Sequence, residues 1–229
     1  MDAGQTRGRR DWTRWLLQAA TALLLSAPLL AAAGEECAPL DARTGIQRCK
    51  AGLAAPQVEQ MRLSQEKSQW CWAASLAMVF AHHGYVLAQD QIVQTLLGNT
   101  DDRAIGGEMI TRLLTRGWQD GRGRRFETSA TAGDAPARRF QFNDDTVIRE
   151  MAAERPLIVG ALGHAMVLVE VEYERFVAQD AVRITGGTVI DPAVGQGVRR
   201  LGPRELNPSY VAAVQVQGQQ LLAAATLAD

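Results

Sequence analysis

The stretch from Gln69 to Ala81, "QWCWAASLAMVFA", is apolar on nearly every face of a helix. A helix of that kind has no side to offer water, so other elements must wrap it and it must run through the centre of its domain. Ser68 is placed to cap its start and Gly84 to end it. The chain around it changes texture once. Residues 87–99, 106–118 and 143–156 carry helical spacing, with stops at Gly98, Gly117 and Pro156. Residues 119–141 are rich in Gly and Arg and have little period, enough for a weak strand or two. Beyond Pro156 come β-rich runs, "PLIVGALG", "HAMVLVEVEYERF", "AVRITGGTVID" and "YVAAVQVQ". In the second run Ala165, Val167, Val169, Val171 and Tyr173 alternate as one face. His164, Met166, Leu168 and the three glutamates share the other. Helices first and strands second predict an α+β fold of two layers with a cleft between them.

The 229 residues suffice for one domain with a core, plus extras, and show neither repeats nor a second domain of similar size. The first 33 read as a secretory signal peptide: Arg7, Arg9, Arg10 and Arg14, then "WLLQAATALLLSAPLLAAA", then a small-residue cleavage pattern before Gly34. Cleavage there predicts a secreted or periplasmic protein with no membrane span left. Removing four Arg and two Asp from 24 basic and 25 acidic residues leaves 20 and 23, a mildly acidic chain of net charge −3. The short basic runs at 122–125 and 138–139 fall in loop and make no nucleic-acid face. Residues 34–60 are expected to be an irregular N-terminal segment, 61–217 the functional domain and 218–229 a tail.

Export bears on the three cysteines, because thiols pair in an oxidising compartment. Cys37 and Cys49 lie 12 apart in a Gly-, Pro- and charge-rich segment and are expected to form a disulfide. That leaves Cys71 odd. A lone cysteine is often just a small buried hydrophobe. Cys71, however, stands in the first turn of the central helix, where unpaired N–H groups and the helix dipole favour a thiolate. Three histidines are available as a base. His82 and His83 follow Cys71 on its own helix, about 16–18 Å along the axis, and suit the dipole at the helix C-terminus. That distance also rules out a zinc site built from Cys71 and these histidines, and no metal or cofactor is expected. His164 opens a strand and is left as the partner of Cys71.

A base needs an orienting group. Asp191 in "TVIDPAVG" can supply it in one of two strand registers. If the chain reverses near residues 177–180, Asp191 comes beside His164 and Gly186-Gly187 forms a bulge in the returning strand. If Gly186-Gly187 is itself the turn, Asp191 lies opposite Val182 and the set is broken. Gln65, six residues before Cys71, can set its amide beside the Cys71 N–H as a pair of oxyanion donors.

The set resembles the papain-like cysteine peptidases: Cys71-Trp72 with Gln65 upstream, then "RPLIVGALGHAMVLVEVEY…VIDP". The similarity spans roughly Met61 to Gln217. Gln69-Trp70 before the cysteine, and the short distance to the histidine, depart from the papain pattern. Both are similar to a compact bacterial branch, the plant-pathogen avirulence effector and staphopain type, related to the peptidase domains that clip bacteriocin leaders. The resemblance implies a helical N-terminal half whose central helix carries Cys71 and packs on a C-terminal antiparallel sheet. It implies Cys71 as nucleophile, His164 as base and then acid, Asp191 as orienter and Gln65 in the oxyanion hole. Trp70 and Trp72 would wall the cleft, and the substrate would be a peptide or protein. Family members use either Asn or Asp as the third member. Two other readings use the same residues: a cysteine amidase, deamidase or transglutaminase-type acyl transfer, and an inert exported binding module.

Overall fold

The computed structural model describes Met1 and residues 34–134 and 142–218. Residues 2–33, expected to be a signal peptide, the Arg138-Arg139 pair and all of the expected tail except Gly218 lie outside the described residues. The elements, in order, are β1 (Gly34–Cys37), β2 (Ile46–Gly52), α1 (Ala55–Met61), α2 (Cys71–His82), α3 (Gln89–Leu97) and α4 (Gly107–Leu113). Then follow β3 (Gly117–Gln119), β4 (Arg125–Asp134), α5 (Asp144–Ala152), β5 (Leu157–Ala161), β6 (His164–Phe176), β7 (Ala181–Asp191), β8 (Gly197–Arg200) and β9 (Tyr210–Gly218). The fold is α+β with an antiparallel sheet, as the order of helical and β-rich stretches predicts.

The apolar helix is central. From Trp72 to Phe80 every residue of α2 is buried. It shares a core with Val58 and Met61 of α1, Ile92 and Val93 of α3, Ile110 and Leu113 of α4, and the facing strands. Gly98 ends α3 in the left-handed region at φ 72°, as a helix-stop glycine does. The Asn143 side chain caps α5 by accepting from the Thr146 N–H. That short helix packs on the opposite face of the sheet, over a second core with Leu157, Val159, Met166 and Leu168.

The 13-residue strand β6 organises the sheet. Along one edge it pairs with β5 over its first residues and with β2 over the remainder; along the other it pairs with β7. Beyond β5 the order continues through β9 and β4 to β3. The stretch expected to hold weak strands thus contains β4, ten residues long and paired along β9.

Two expectations need correction. Residues 34–60 are not irregular: β1 and β2 form a hairpin that joins β6, and α1 follows. The β6 face also does not alternate throughout. Ala165, Val167 and Val169 lie in the α2 core, but Val171 and Tyr173 join Met166 and Leu168 in the second core. The cause is a register shift between Leu168 and Glu170 against β7. One extra residue reverses the parity of every side chain after it.

Candidate active site

The β6–β7 turn decides which side chains meet. It is a 3-10 turn at Val177–Gln179 closed by Asp180 in the left-handed region, with Phe176 opposite Ala181. Gly186 and Gly187 lie inside β7, next to a second register shift at Thr185. The first of the two registers is therefore present. At the far end of the hairpin Val167 stands opposite Ile190, which carries Asp191, the last residue of β7, alongside the start of β6. His164 is fixed as the first residue of β6 by a two-residue turn. Leu162 and Gly163 both have positive φ there, 54° and 80°, which matches the twist of a tight hairpin.

The result is a continuous chain of contacts. His164 Nε2 lies 2.6 Å from Asp191 Oδ1, which leaves the other ring nitrogen for the Cys71 thiol, the group whose interaction with the ring shifts both of their pKa values. Cys71 is the first residue of α2, half-buried and not in a disulfide. Burial pushes its thiol up. The His164 ring and the N–H groups of Ala165 and Trp72 outweigh that and hold it below the ordinary thiol range. The Cys71 hydrogen bond raises His164 to about 9, helped by Asp191 and opposed by burial. Asp191 is 4% exposed. Burial pushes its carboxyl up, and His164, the Ala193 N–H and Arg199 together bring it below the usual carboxylate range. The ensemble favours a thiolate–imidazolium pair backed by a carboxylate. It can attack a carbonyl carbon and return a proton to a leaving amine.

The loop before Cys71 is tied down on both sides. The Gln65 N–H donates to Pro192 O at 2.7 Å, joining this loop to the residue after Asp191. The buried Gln89 side chain of α3 donates to Ser64 O and accepts from the Glu66 N–H. Asp102 accepts from Ser68 Oγ at 2.6 Å and from the Gln69 N–H at 2.7 Å. Ser68 is therefore bonded to Asp102 instead of capping α2, whose N-cap is Trp70. Gln65 Nε2 donates to Lys67 O and Ser68 O, at 2.9 and 2.8 Å, so both amide protons are held within the loop.

Trp70 and Trp72 do not wall an open cleft. Each is 1% exposed, and their indole N–H groups donate to Asp101 O and Arg103 O. They are core pillars whose indoles hold the loop carbonyls of Asp101 and Arg103. The histidines at the end of α2 differ from expectation too. Burial depresses His82, and burial with the neighbouring His82 brings His83 down to about 4. They are neutral at pH 7 and do not serve the helix dipole as cations. The sequence reading missed Gln89, Asp102, Arg199 and Glu205. Of these only Arg199 carried a signal: once β8 is paired with β7, it lies opposite Val189, diagonal to Asp191. Glu35, Cys37 and Cys49 cluster as metal ligands would, but both sulfurs are joined in a disulfide and offer no thiolate.

A thiol at the N-terminus of a buried helix, facing an imidazole and carboxylate on the sheet it packs against, defines the class of papain-like cysteine peptidases. The family comparison narrows that class. The chain belongs to the Peptidase_C39 like family, whose pattern matches residues 53–196, and it is a cysteine peptidase. Among solved structures it is similar to the peptidase domain of Streptococcus ComA, a bi-functional ABC transporter involved in a quorum sensing pathway. That likeness is 19% identity over 68% of this chain and 96% of that one, with a TM-score of 0.40. A search of curated proteins found no match.

Proposed function

We propose that the chain is an exported cysteine peptidase that hydrolyses peptide bonds with Cys71 as nucleophile, His164 as general base and acid, and Asp191 as the orienting group. The observation that carries this reading is the unbroken contact from the Cys71 thiol through the His164 ring to Asp191 Oδ1. The thiolate sulfur bonds to the carbonyl carbon, and the carbonyl π electrons move onto oxygen. The His164 imidazolium protonates the amine as the C–N bond breaks, leaving a thioester on Cys71. Water attacks the thioester, His164 takes its proton, and the carboxylic acid leaves as the C–S bond breaks, which restores the thiolate–imidazolium pair.

The oxyanion is assigned to the Cys71 backbone N–H, one of the unpaired donors of the first helical turn, together with the Gln65 amide. Gln65 would then release one of its two loop carbonyls as substrate enters. Export is supported by the sequence of residues 1–33 and by the Cys37–Cys49 disulfide, since such bonds persist in oxidising compartments. The Trp-Cys-Trp-Ala-Ala stretch supports placement in the compact bacterial branch that includes avirulence effectors and staphopains.

The test is labelling of the purified mature protein with a thiol-directed peptide electrophile, followed by mapping of the modified residue. The expected adduct is on Cys71, is absent in Cys71→Ala and forms slowly in His164→Ala. Labelling at another residue, or labelling of Cys71 that is indifferent to His164, overturns the assignment.

A further inference from the structure

Behind Asp191 the contact chain continues into two residues that the proposed chemistry does not use. Asp191 Oδ1 receives His164 and the Ala193 N–H. Its other oxygen, Oδ2, receives Arg199 Nε at 2.8 Å. A guanidinium has five N–H donors, and all five of Arg199 are engaged. Nε donates to Asp191. Nη1 donates to Glu205 Oε2 at 2.9 Å and Arg200 O at 3.0 Å, and Nη2 to Glu205 Oε1 at 2.8 Å and Met166 Sδ at 3.1 Å. Glu205 is itself held by the Gly202 N–H at 2.6 Å. The bidentate grip fixes the plane of the guanidinium, and with it the direction of Nε.

The Arg199 side chain is 26% exposed and Glu205 15%, both well short of the exposure of an ordinary surface pair. From α2 to the segment after β8 the charges then alternate: thiolate, imidazolium, carboxylate, guanidinium, carboxylate. Asp191 could otherwise rotate about its own side-chain torsions, because its two bonds at Oδ1 leave Oδ2 free. The Arg199 fork removes that freedom.

We infer that Arg199, clamped by Glu205, is a positioning residue for the peptidase: it acts through Asp191 to keep the carboxylate aimed at His164. The inference rests on the proposed roles of Cys71, His164 and Asp191, and it adds a second, outer ion pair to them. A surface salt bridge of little consequence would have exposed partners and a single contact. Here the pair is part-buried, bidentate and joined directly to the third member of the site. Met166 also links it to β6, two residues from His164.

The experiment is a double-mutant cycle of Arg199→Gln and Asp191→Asn, with two readouts. One is kcat and KM on a peptide substrate. The other is the pH titration of the Cys71 thiolate by its ultraviolet absorbance, which needs no turnover. Arg199→Gln is expected to lower kcat by about ten- to a hundredfold, the cost of misplacing a catalytic group, and to leave KM within about twofold. It should also move the acid limb of that titration, where the thiolate forms, upward, because an imidazolium with no held carboxylate behind it stabilises the thiolate less. In the Asp191→Asn background the same change should alter neither readout, because a residue acting through Asp191 has nothing left to position.

Glu205→Gln, which keeps the shape of the clamp, should show the same pattern at smaller size and stands in if Arg199→Gln does not fold. Arg199→Lys should recover only part of the loss, since it keeps the charge but not the fork. Wild-type kcat and titration in Arg199→Gln, or an equal loss with and without Asp191, overturns the inference. If the wild-type protein cleaves no peptide, the proposed activity fails, and the thiolate titration still decides whether Arg199 is coupled to the pair.

Discussion

At the scale of single residues, the site turns on which proton sits where. His164 is raised to about 9 and Cys71 is held below the ordinary thiol range, so the ion pair exists in the window between them. Below that window the sulfur is protonated; above about pH 9 the ring loses the proton that the leaving amine needs. The rate of Cys71 alkylation should therefore reach its plateau at a lower pH than that of an ordinary thiol, and kcat/KM should fall as pH rises past about 9. In His164→Ala the alkylation profile should move up towards an ordinary thiol pKa of about 8.5. An unchanged profile would separate the two residues. Cys71→Ala and His164→Ala should each lower kcat by at least about ten-thousandfold, and Asp191→Ala by roughly a hundredfold less, as for other sets acting as a unit. His83→Ala should leave turnover near wild type, since its ring is neutral and lies at the other end of α2. Cys71 and His164 were legible because cysteine parity and helix length left few alternatives. The tryptophans were misread because residue type says nothing about direction. Trp70 is the N-cap, off the helical path, and Trp72 points about 100° away from Cys71, so both indoles can turn inward while the thiol between them faces elsewhere. Gln89, Asp102 and Glu205 gave no signal because their roles exist only across chain separations that pattern does not report.

At the scale of elements, the instructive feature is the irregularity in β6. A period-two reading assigns Val171 and Tyr173 to the α2 face, and the register shift after Leu168 sends them to the other core. The shift is set by pairing with β2 and β7, neither of which β6 reveals alone. Gly52, at the end of β2, lies against the irregularity: a Cβ there would collide with Val169 O and come within 2.7 Å of Glu170 Cα. Both are backbone atoms and cannot swing aside, and the Leu53 N–H donates to the same Val169 oxygen at 2.9 Å. Gly52→Ala should thus cost about 1–3 kcal/mol by overpacking, read from the midpoint of urea unfolding. Stability equal to wild type would mean that β2 does not press on β6 there. The helices were easier to read, because α3 and α5 announce their ends with Gly98 and Asn143. The β6–β7 register was not, since the Gly186-Gly187 pair suits a turn as well as a strand beside a bulge.

At the scale of the whole domain, the sheet has an end that serves stability and an end that serves chemistry, both on β6. The β1–β2 hairpin pairs with residues Glu170 to Phe176, whereas His164 stands at the opposite terminus. Within that hairpin Cys37 is directly opposite Cys49, and the two are joined. The hairpin reaches the rest of the fold through β6 and through α5 on the reverse face, where Cys49, Ala51 and Met151 share one core. Removing the cross-link from the 12-residue separation should lower stability by on the order of 3 kcal/mol, chiefly by freeing the unfolded chain. Turnover by the molecules that remain folded should be untouched, because Cys71, His164 and Asp191 are held by α2, β6 and β7. A Cys37→Ala, Cys49→Ala double variant isolates this effect without exposing Cys71 to a reducing agent. Its urea midpoint should fall while kcat/KM, measured well below that midpoint, stays within about twofold of wild type, the ordinary outcome for a change with no shared partners. A loss of kcat/KM under conditions where the protein is fully folded would show that the hairpin reaches the site through β6. An unchanged urea midpoint would show that strand pairing alone holds the N-terminal edge.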